Sequence, residues 1–277
     1  MAETRFVSET NHTMTATHVS AEGSAGIYGV YVSALICQLL NWLVKCVGPP
    51  GCLRDDEWKW RNLLVSWLHA LVCVVWCLIS VILYPHMFYD TQYFLNKCIL
   101  FLVAFSTGYF LYDFIDIAIN GRMLSMWEVE LHHVAVGGMF YYNLYNTEWI
   151  PFNIIALLIE VNSLFLHSRK LLQMIGVPFT SWLYRIVIFL NISTFVIFRG
   201  IPLIAISIAL TQWYSRVTLT YYLSLCSSMF VMLVMNPILF MRLLRSDYLR
   251  KGTSRRNIKV MNGNNNHVGS VAHNKES

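Results

Sequence analysis

Two carboxylates and two adjacent imidazoles stand together in Glu128-Val129-Glu130-Leu131-His132-His133, at the mouth of an apolar run from Val134 to Phe140. Glu128 and His132 are four residues apart. On a helix that spacing lets a carboxylate orient an imidazole, the arrangement of a general base. His133 then points about 100° round the helix axis. The plain alternative is a helix start, where acids are favoured by the helix dipole. That accounts for Glu128 and Glu130 but leaves two histidines going deeper. Adjacent helical histidines diverge and no HxxxH spacing completes them, so the stretch is not read as a metal site.

Three further sets of polar residues lie in apolar surroundings. Asp113 and Asp116, three apart, share a helix face. They belong either to an interior or to a headgroup-solvated helix end. Asn153, Leu157, Glu160, Ser163 and His167 also share one face, which reads as a cavity wall or as an interhelical hydrogen-bond seam. Arg199 lies well inside an apolar segment, beside Gly200 and Pro202. A charge at mid-bilayer costs about 2.5–3.5 kcal/mol, so it calls for a carboxylate. Glu160, Asp113 and Asp116 are the candidates, and a purely structural pairing explains Arg199 as well as a functional one.

These residues must be positioned by membrane helices. Of 277 residues, 56% are hydrophobic and only 13% charged, against about 25% charged in soluble domains. The mean hydropathy is +0.51. The depletion runs along most of the chain, which gives an all-α polytopic membrane protein. About seven transmembrane helices are predicted, near 27–47, 62–83, 94–119, 128–146, 150–168, 182–210 and 219–243. Pro85, Asn120-Gly121, Thr147-Glu148 and Gly176-Val177-Pro178 separate them, and Arg199 to Pro202 and Asn236-Pro237 interrupt two of them. Residues 1–26 read as an extracytoplasmic flexible tail without a cleavable signal peptide, and 251–277 as a disordered cytosolic tail. The seven cysteines lie mostly in apolar segments and act there as small hydrophobes.

Basic residues set the orientation. Lys45, Arg54, Lys59, Arg61, Arg122, Arg169, Lys170, Arg185 and the eight from Arg242 to Lys275 fall on one side, and only Arg5, Lys97 and Arg216 on the other. The C-terminus is therefore expected in the cytosol and the N-terminus outside. The sequon at Asn11 is then usable for glycosylation, and the one at Asn191, inside a span, is not. The net charge of +5 is an orientation signal, not a mark of nucleic-acid binding.

Several short stretches together resemble a TLC domain, the family of TRAM, Lag and CLN proteins. They are Trp60-Arg61-Asn62-Leu63-Leu64-Val65-Ser66 with His69, Gly108-Tyr109-Phe110, Asp113-Phe114-Ile115-Asp116, Trp127-Glu128 with His132-His133, Glu160-Val161-Asn162 with Phe165, and Phe198-Arg199. Leu243-Leu244-Arg245-Ser246-Asp247 resembles the domain end in the plasma-membrane, calfacilitin-like branch that regulates membrane fluidity. The resemblance covers about 57–250. It implies a barrel of six transmembrane helices around a lipid-accessible cavity, with 27–47 as a separate first helix.

The resemblance also implies a function: regulating phospholipid acyl composition and membrane fluidity by limiting incorporation of long-chain polyunsaturated fatty acids. On that reading the protein is not an enzyme and needs no cofactor. Its partners are membrane phospholipids or fatty acyl chains, and its place is the plasma membrane, with the endoplasmic reticulum as alternative. Asp113, Asp116, Glu128, His132, His133, Asn153, Glu160, Ser163, His167 and Arg199 become the polar residues of a lipid cavity. The alternative is an acyltransferase using acyl-CoA. His132 and His133 match the histidine pair of ceramide synthases, but the two downstream aspartates of that family are replaced by Glu160 and Ser163. His132, His133 and Glu160 are therefore the catalytic candidates. A seven-span receptor is disfavoured: the Thr147-Glu148 turn is too short to hold a disulfide partner.

Overall fold

The computed structural model describes residues 2–50, 57–214 and 217–246, without the side chains of residues 2–20 or Trp213. Asn11's side chain and the 251–277 tail lie outside the described residues. The chain falls into two units, Met1–Met232 and Leu233–Ser277.

The first unit is helical throughout its described elements. They are α1 (Ala2–Val47), α2 (Glu57–Leu83), α3 (Lys97–Ile119), α4 (Trp127–Asn146), α5 (Ile150–Leu157), α6 (Glu160–Met174), α7 (Trp182–Phe195), α8 (Ile201–Trp213) and α9 (Leu219–Leu244), which runs on into the second unit. Helices α5 and α6 form one rod with a break, and α7 and α8 form another. Among the described residues six rods are long and apolar enough to cross a membrane: Ala21–Val47, Glu57–Leu83, Lys97–Ile119, Ile150–Met174, Trp182–Gln212 and Leu219–Leu244. The seventh rod, α4, has 20 residues, about 30 Å at 1.5 Å per residue. Its polar first turns keep it out of that set. In the second unit, described residues 233–246 end α9, which carries Pro237 within it.

Local chemistry fixes the ends. Asn96 caps α3, its side chain accepting from Cys98 N–H at 2.8 Å. Pro85 opens a single 3-10 turn after α2. The α4–α5 turn is made by Thr147 and Trp149, both in the left-handed region at φ 55° and 61°. Trp149 N–H donates to Gln92 C=O at 2.9 Å, so the α2–α3 and α4–α5 connections meet at one end. At the other end Arg122 lies over the Trp58 ring, 5.3 Å from its centroid. Successive rods therefore alternate in direction.

The core sits where α1 packs on α3. Lipid tails give helices no hydrophobic reason to associate, so close packing of small residues does it. Gly29 faces Ala104, and Gly108 lies against α1 so closely that an added Cβ would sit 2.3 Å from Val30 O. Ser33 Oγ donates to Phe105 C=O at 2.7 Å across the same interface. Gly138 on α4, by contrast, has nothing within 4 Å of an added Cβ.

Gly108→Ala should therefore force the α1 and α3 backbones apart, costing about 1–3 kcal/mol as overpacking does. Gly138→Ala should be neutral or slightly stabilising, because only helix propensity changes. Thermal unfolding of the two detergent-purified variants beside the wild type measures the contrast.

Candidate functional site

Helix α3 brings two carboxylates inward. Asp113, 2% exposed, accepts from Asn62 Nδ2 of α2 at 2.6 Å. Its other oxygen lies 3.1 Å from His133 Nδ1, near enough for electrostatic attraction but outside hydrogen-bond alignment. Asp116, a turn on, accepts from Trp58 Nε1 at 2.9 Å, Asn41 Nδ2 at 3.3 Å and Asn120 Nδ2 at 3.2 Å. The two acids share a face, as their spacing predicts, and both are buried. They bind α1, α2 and α4 together rather than face a cavity.

The histidine pair is divided. The expected orienting contact ran from Glu128 to His132. Instead His132 Nδ1 faces the Met232 sulfur at 3.1 Å, and the carboxylate that approaches a histidine is Asp113, beside His133. Glu128 stays half-buried in the first turn of α4. Glu130 departs from the helix-start reading in another way: it is buried, with neither carboxylate oxygen hydrogen-bonded. The divergence of adjacent helical side chains produces the split. His133 stacks on Phe110 with ring centroids 4.9 Å apart, and His132 faces α9.

Beneath His133 lies a hydrogen-bonded chain of uncharged residues to which the sequence pattern assigned no role. Tyr109 Oη donates to Ser66 Oγ at 2.8 Å, which donates to Asn62 C=O at 2.8 Å. The Tyr109 ring stacks on His69 at 3.8 Å, and His69 Nε2 lies 3.2 Å from Ser106 Oγ. All are buried. The available signal was the presence of Asn62, Ser66 and His69 at a spacing of three to four in an apolar helix.

The fifth rod is not one continuous stripe. It breaks at Leu158-Ile159, and Glu160 begins α6. The break divides the roles. Asn153, Leu157 and Glu160 line a cleft, whereas Ser163 belongs to a helix seam. His167, farther along α6, is away from the cleft, its Nδ1 buried without a hydrogen-bond partner.

Amide and hydroxyl groups of α6 bind Arg199. Its Nε donates to Asn162 Oδ1 at 2.7 Å and an NH2 group to Ser163 Oγ at 3.0 Å. Of the three carboxylates the sequence offered, Glu160 acts on it electrostatically. Asn162 in turn donates to Asn191 C=O, Asn191 Oδ1 and Thr194 Oγ1 at 2.9, 3.0 and 3.2 Å. The irregularity expected at Arg199–Pro202 is a π-helical turn, Val196–Gly200, with Ile201 N–H donating to Val196 C=O. Pro202 lacks an N–H and crowds the preceding turn, which widens the ladder there. The Asn191 side chain is wholly buried in this network.

The cleft itself runs between α3, α4, α5, α8 and α9. It encloses about 710 Å³ with its mouth included. Its wall is apolar, with Val136, Met139, Phe140, Leu157, Ile206 and Met229 among its residues. His132 and Glu160 mark one end and Asn143 with Asn153 the other. Asn143 Nδ2 donates to Asn153 Oδ1 at 2.8 Å. His132 and Asn143 are eleven residues apart on α4, about 16 Å. Among the described residues no three His, Cys, Asp or Glu side chains group to hold a metal ion.

Residues 59–245 match the family model of the TLC domain. The chain belongs to the TLC-domain family. It is 33% identical over 213 residues to TLC domain-containing protein 2 of Danio rerio, covering 77% of this chain and 86% of that one. To TLC domain-containing protein 1 of Homo sapiens it is 31% identical over 203 residues, covering 72% and 81%. To the human TLC domain-containing protein 2 it is 29% identical over 225 residues, covering 81% and 85%. No solved structure matches it significantly.

Asn162→Ala should be among the most damaging single changes in this TLC domain. It removes hydrogen bonds to Asn191, Thr194 and a buried guanidinium. Bonds to charged groups are worth about 1.5–3 kcal/mol each, so a loss of at least ~2 kcal/mol is expected. A reduced melting temperature and lower membrane yield check it, with Ser168→Ala, which loses one bond from Trp67 Nε1 and one to Leu164 C=O but none to a charged group, as the milder comparison.

Proposed function

We propose that this protein regulates the acyl composition of membrane phospholipids, and so membrane fluidity, by holding an acyl chain in the cleft beside His132. It thereby limits the incorporation of long-chain polyunsaturated acyl groups. The observation that carries the reading is the cleft: an apolar slot whose polar ends, His132 with Glu160 and Asn143 with Asn153, are set about 16 Å apart along α4. Such a slot takes one hydrocarbon chain and excludes water, as apolar ligand sites do. The protein acts in the plasma membrane with its N-terminus outside and its basic C-terminus in the cytosol. Membrane phospholipids or their acyl chains are its partners, and no catalytic step or cofactor is needed.

A specific observation supports acyl transfer as the second reading: His132 and Glu160 line the same cleft. On that reading acyl-CoA is the donor, and His132 is the base or acyl acceptor, with Glu160 beside it. His133 serves less directly, since it is buried between Asp113 and Phe110.

Cells lacking the protein, re-supplied with variants and profiled for phospholipid acyl chains, test both. Ala156→Trp fills the cleft and should abolish restoration of the wild-type profile, although the protein reaches the membrane. His132→Ala should restore it fully if the protein is a lipid-holding regulator. If His132→Ala lowers the effect by the ~10²–10⁴-fold typical of a lost general base, the transferase reading holds instead. If Ala156→Trp restores the profile as well as wild type, the cleft plays no part.

A further inference from the structure

Resting on the reading that a lipid chain occupies this cleft, we infer that its Asn143–Asn153 end is a head-group subsite for a neutral lipid alcohol. The two side chains are each 1% exposed. They share one hydrogen bond, from Asn143 Nδ2 to Asn153 Oδ1. That bond leaves the Asn143 carbonyl oxygen and the Asn153 amide nitrogen buried without a hydrogen-bond partner, and both residues line the cleft. Turning both amides together would exchange their roles, yet still leave one acceptor and one donor over.

An unsatisfied buried polar atom costs about 1–3 kcal/mol, and few survive in a folded protein without a reason. A pair offering one acceptor and one donor side by side selects its complement, a group that donates one hydrogen bond and accepts another. A hydroxyl does both and carries no charge. A carboxylate or phosphate only accepts, and would be repelled by the Asn143 carbonyl oxygen. Tyr221 approaches the Asn143 side chain closely enough to interact with it, although its buried Oη is outside hydrogen-bond alignment, and it closes the same end. From this anchor the alkyl chain runs along Met139, Phe140 and Val136 towards His132.

A way in is open. A second cleft between α4 and α9 shares Met139 and Ser228 with the first and encloses about 960 Å³ with its mouth included. Gly138 forms part of its wall, and an added Cβ there would meet open space. The lipid therefore enters sideways from the bilayer between these helices.

The test uses the full-length protein in lipid nanodiscs and hexadecanol carrying a photoactivatable diazirine next to its hydroxyl. After irradiation, labelled peptides should fall in residues 139–157. The double variant Asn143→Leu/Asn153→Leu removes both partners at once, which is often nearly neutral for stability, and should lower that labelling about fivefold or more, the loss of at least one hydrogen bond. Labelling centred on His132 or Glu160 overturns the head-group assignment while leaving lipid in the cleft. Undiminished labelling of the double variant overturns it too, making the asparagine pair purely structural. If no cleft peptide is labelled in the wild type, both the subsite and the lipid-binding reading fail. The wild-type arm stands on its own should the double variant not fold.

Discussion

A guanidinium inside an apolar rod sets the terms for the rest of this molecule. Arg199 cannot give up its charge, and a bilayer offers no water to share it. Asn162 and Ser163 meet that demand from α6, and Asn162 is held in turn by Asn191 and Thr194 on α7. The π-helical turn before Pro202 is part of the same solution. A widened turn often marks a functional place in a helix, and here it lies in the stretch that carries Arg199. Because α6 starts at Glu160, the positive end of its dipole lies beside that buried acid, which a helix N-terminus favours. One cation thus ties α6 to the α7–α8 rod, while Glu160, within its electrostatic reach, also edges the cleft.

The same logic separates the two histidines. His133 is drawn into a polar junction with Asp113, Asn62 and the aromatic rings of α3. His132 turns to Met232 and the cleft. Adjacent residues on one helix therefore serve a structural joint and a ligand surface, and a single sequence motif does not imply a single role. Glu130, buried with unbonded oxygens, lies near this junction and within electrostatic reach of both His133 and Asp113.

Much of this was legible in the chain. Helix positions followed from apolar run length and from Pro, Gly and Asn breakers, and most observed ends agree within a few residues; the exceptions are α1, which begins at Ala2 so that the stretch read as a flexible tail is helical, α2, which begins at Glu57 rather than 62, and the fifth rod, which runs to Met174 rather than 168. The interruption at Arg199 was readable because a charge and a proline within a span each need accommodation. What was not legible depended on tertiary placement. The break at Leu158-Ile159 carries no Pro or Gly, so the helical stripe looked continuous. The pairing of Asp113 with His133 could not be told from Glu128 with His132, since both suit a carboxylate and an imidazole. Asn62 and Asn162 stood in the stretches that resemble the family but, being uncharged, were given no role, and Asn143 was not singled out; yet in an apolar interior their hydrogen bonds decide which helices meet.

Everything proposed for this protein's function depends on a lipid chain occupying the cleft between α4, α5, α8 and α9. Native mass spectrometry of the protein released from mild detergent tests it most directly. Wild-type protein should carry adducts with the masses of acyl lipids or long-chain alcohols, and Ala156→Trp, with the slot filled, should lose them. Equal adducts on both proteins, or none on the wild type from lipid-rich membranes, would contradict the account.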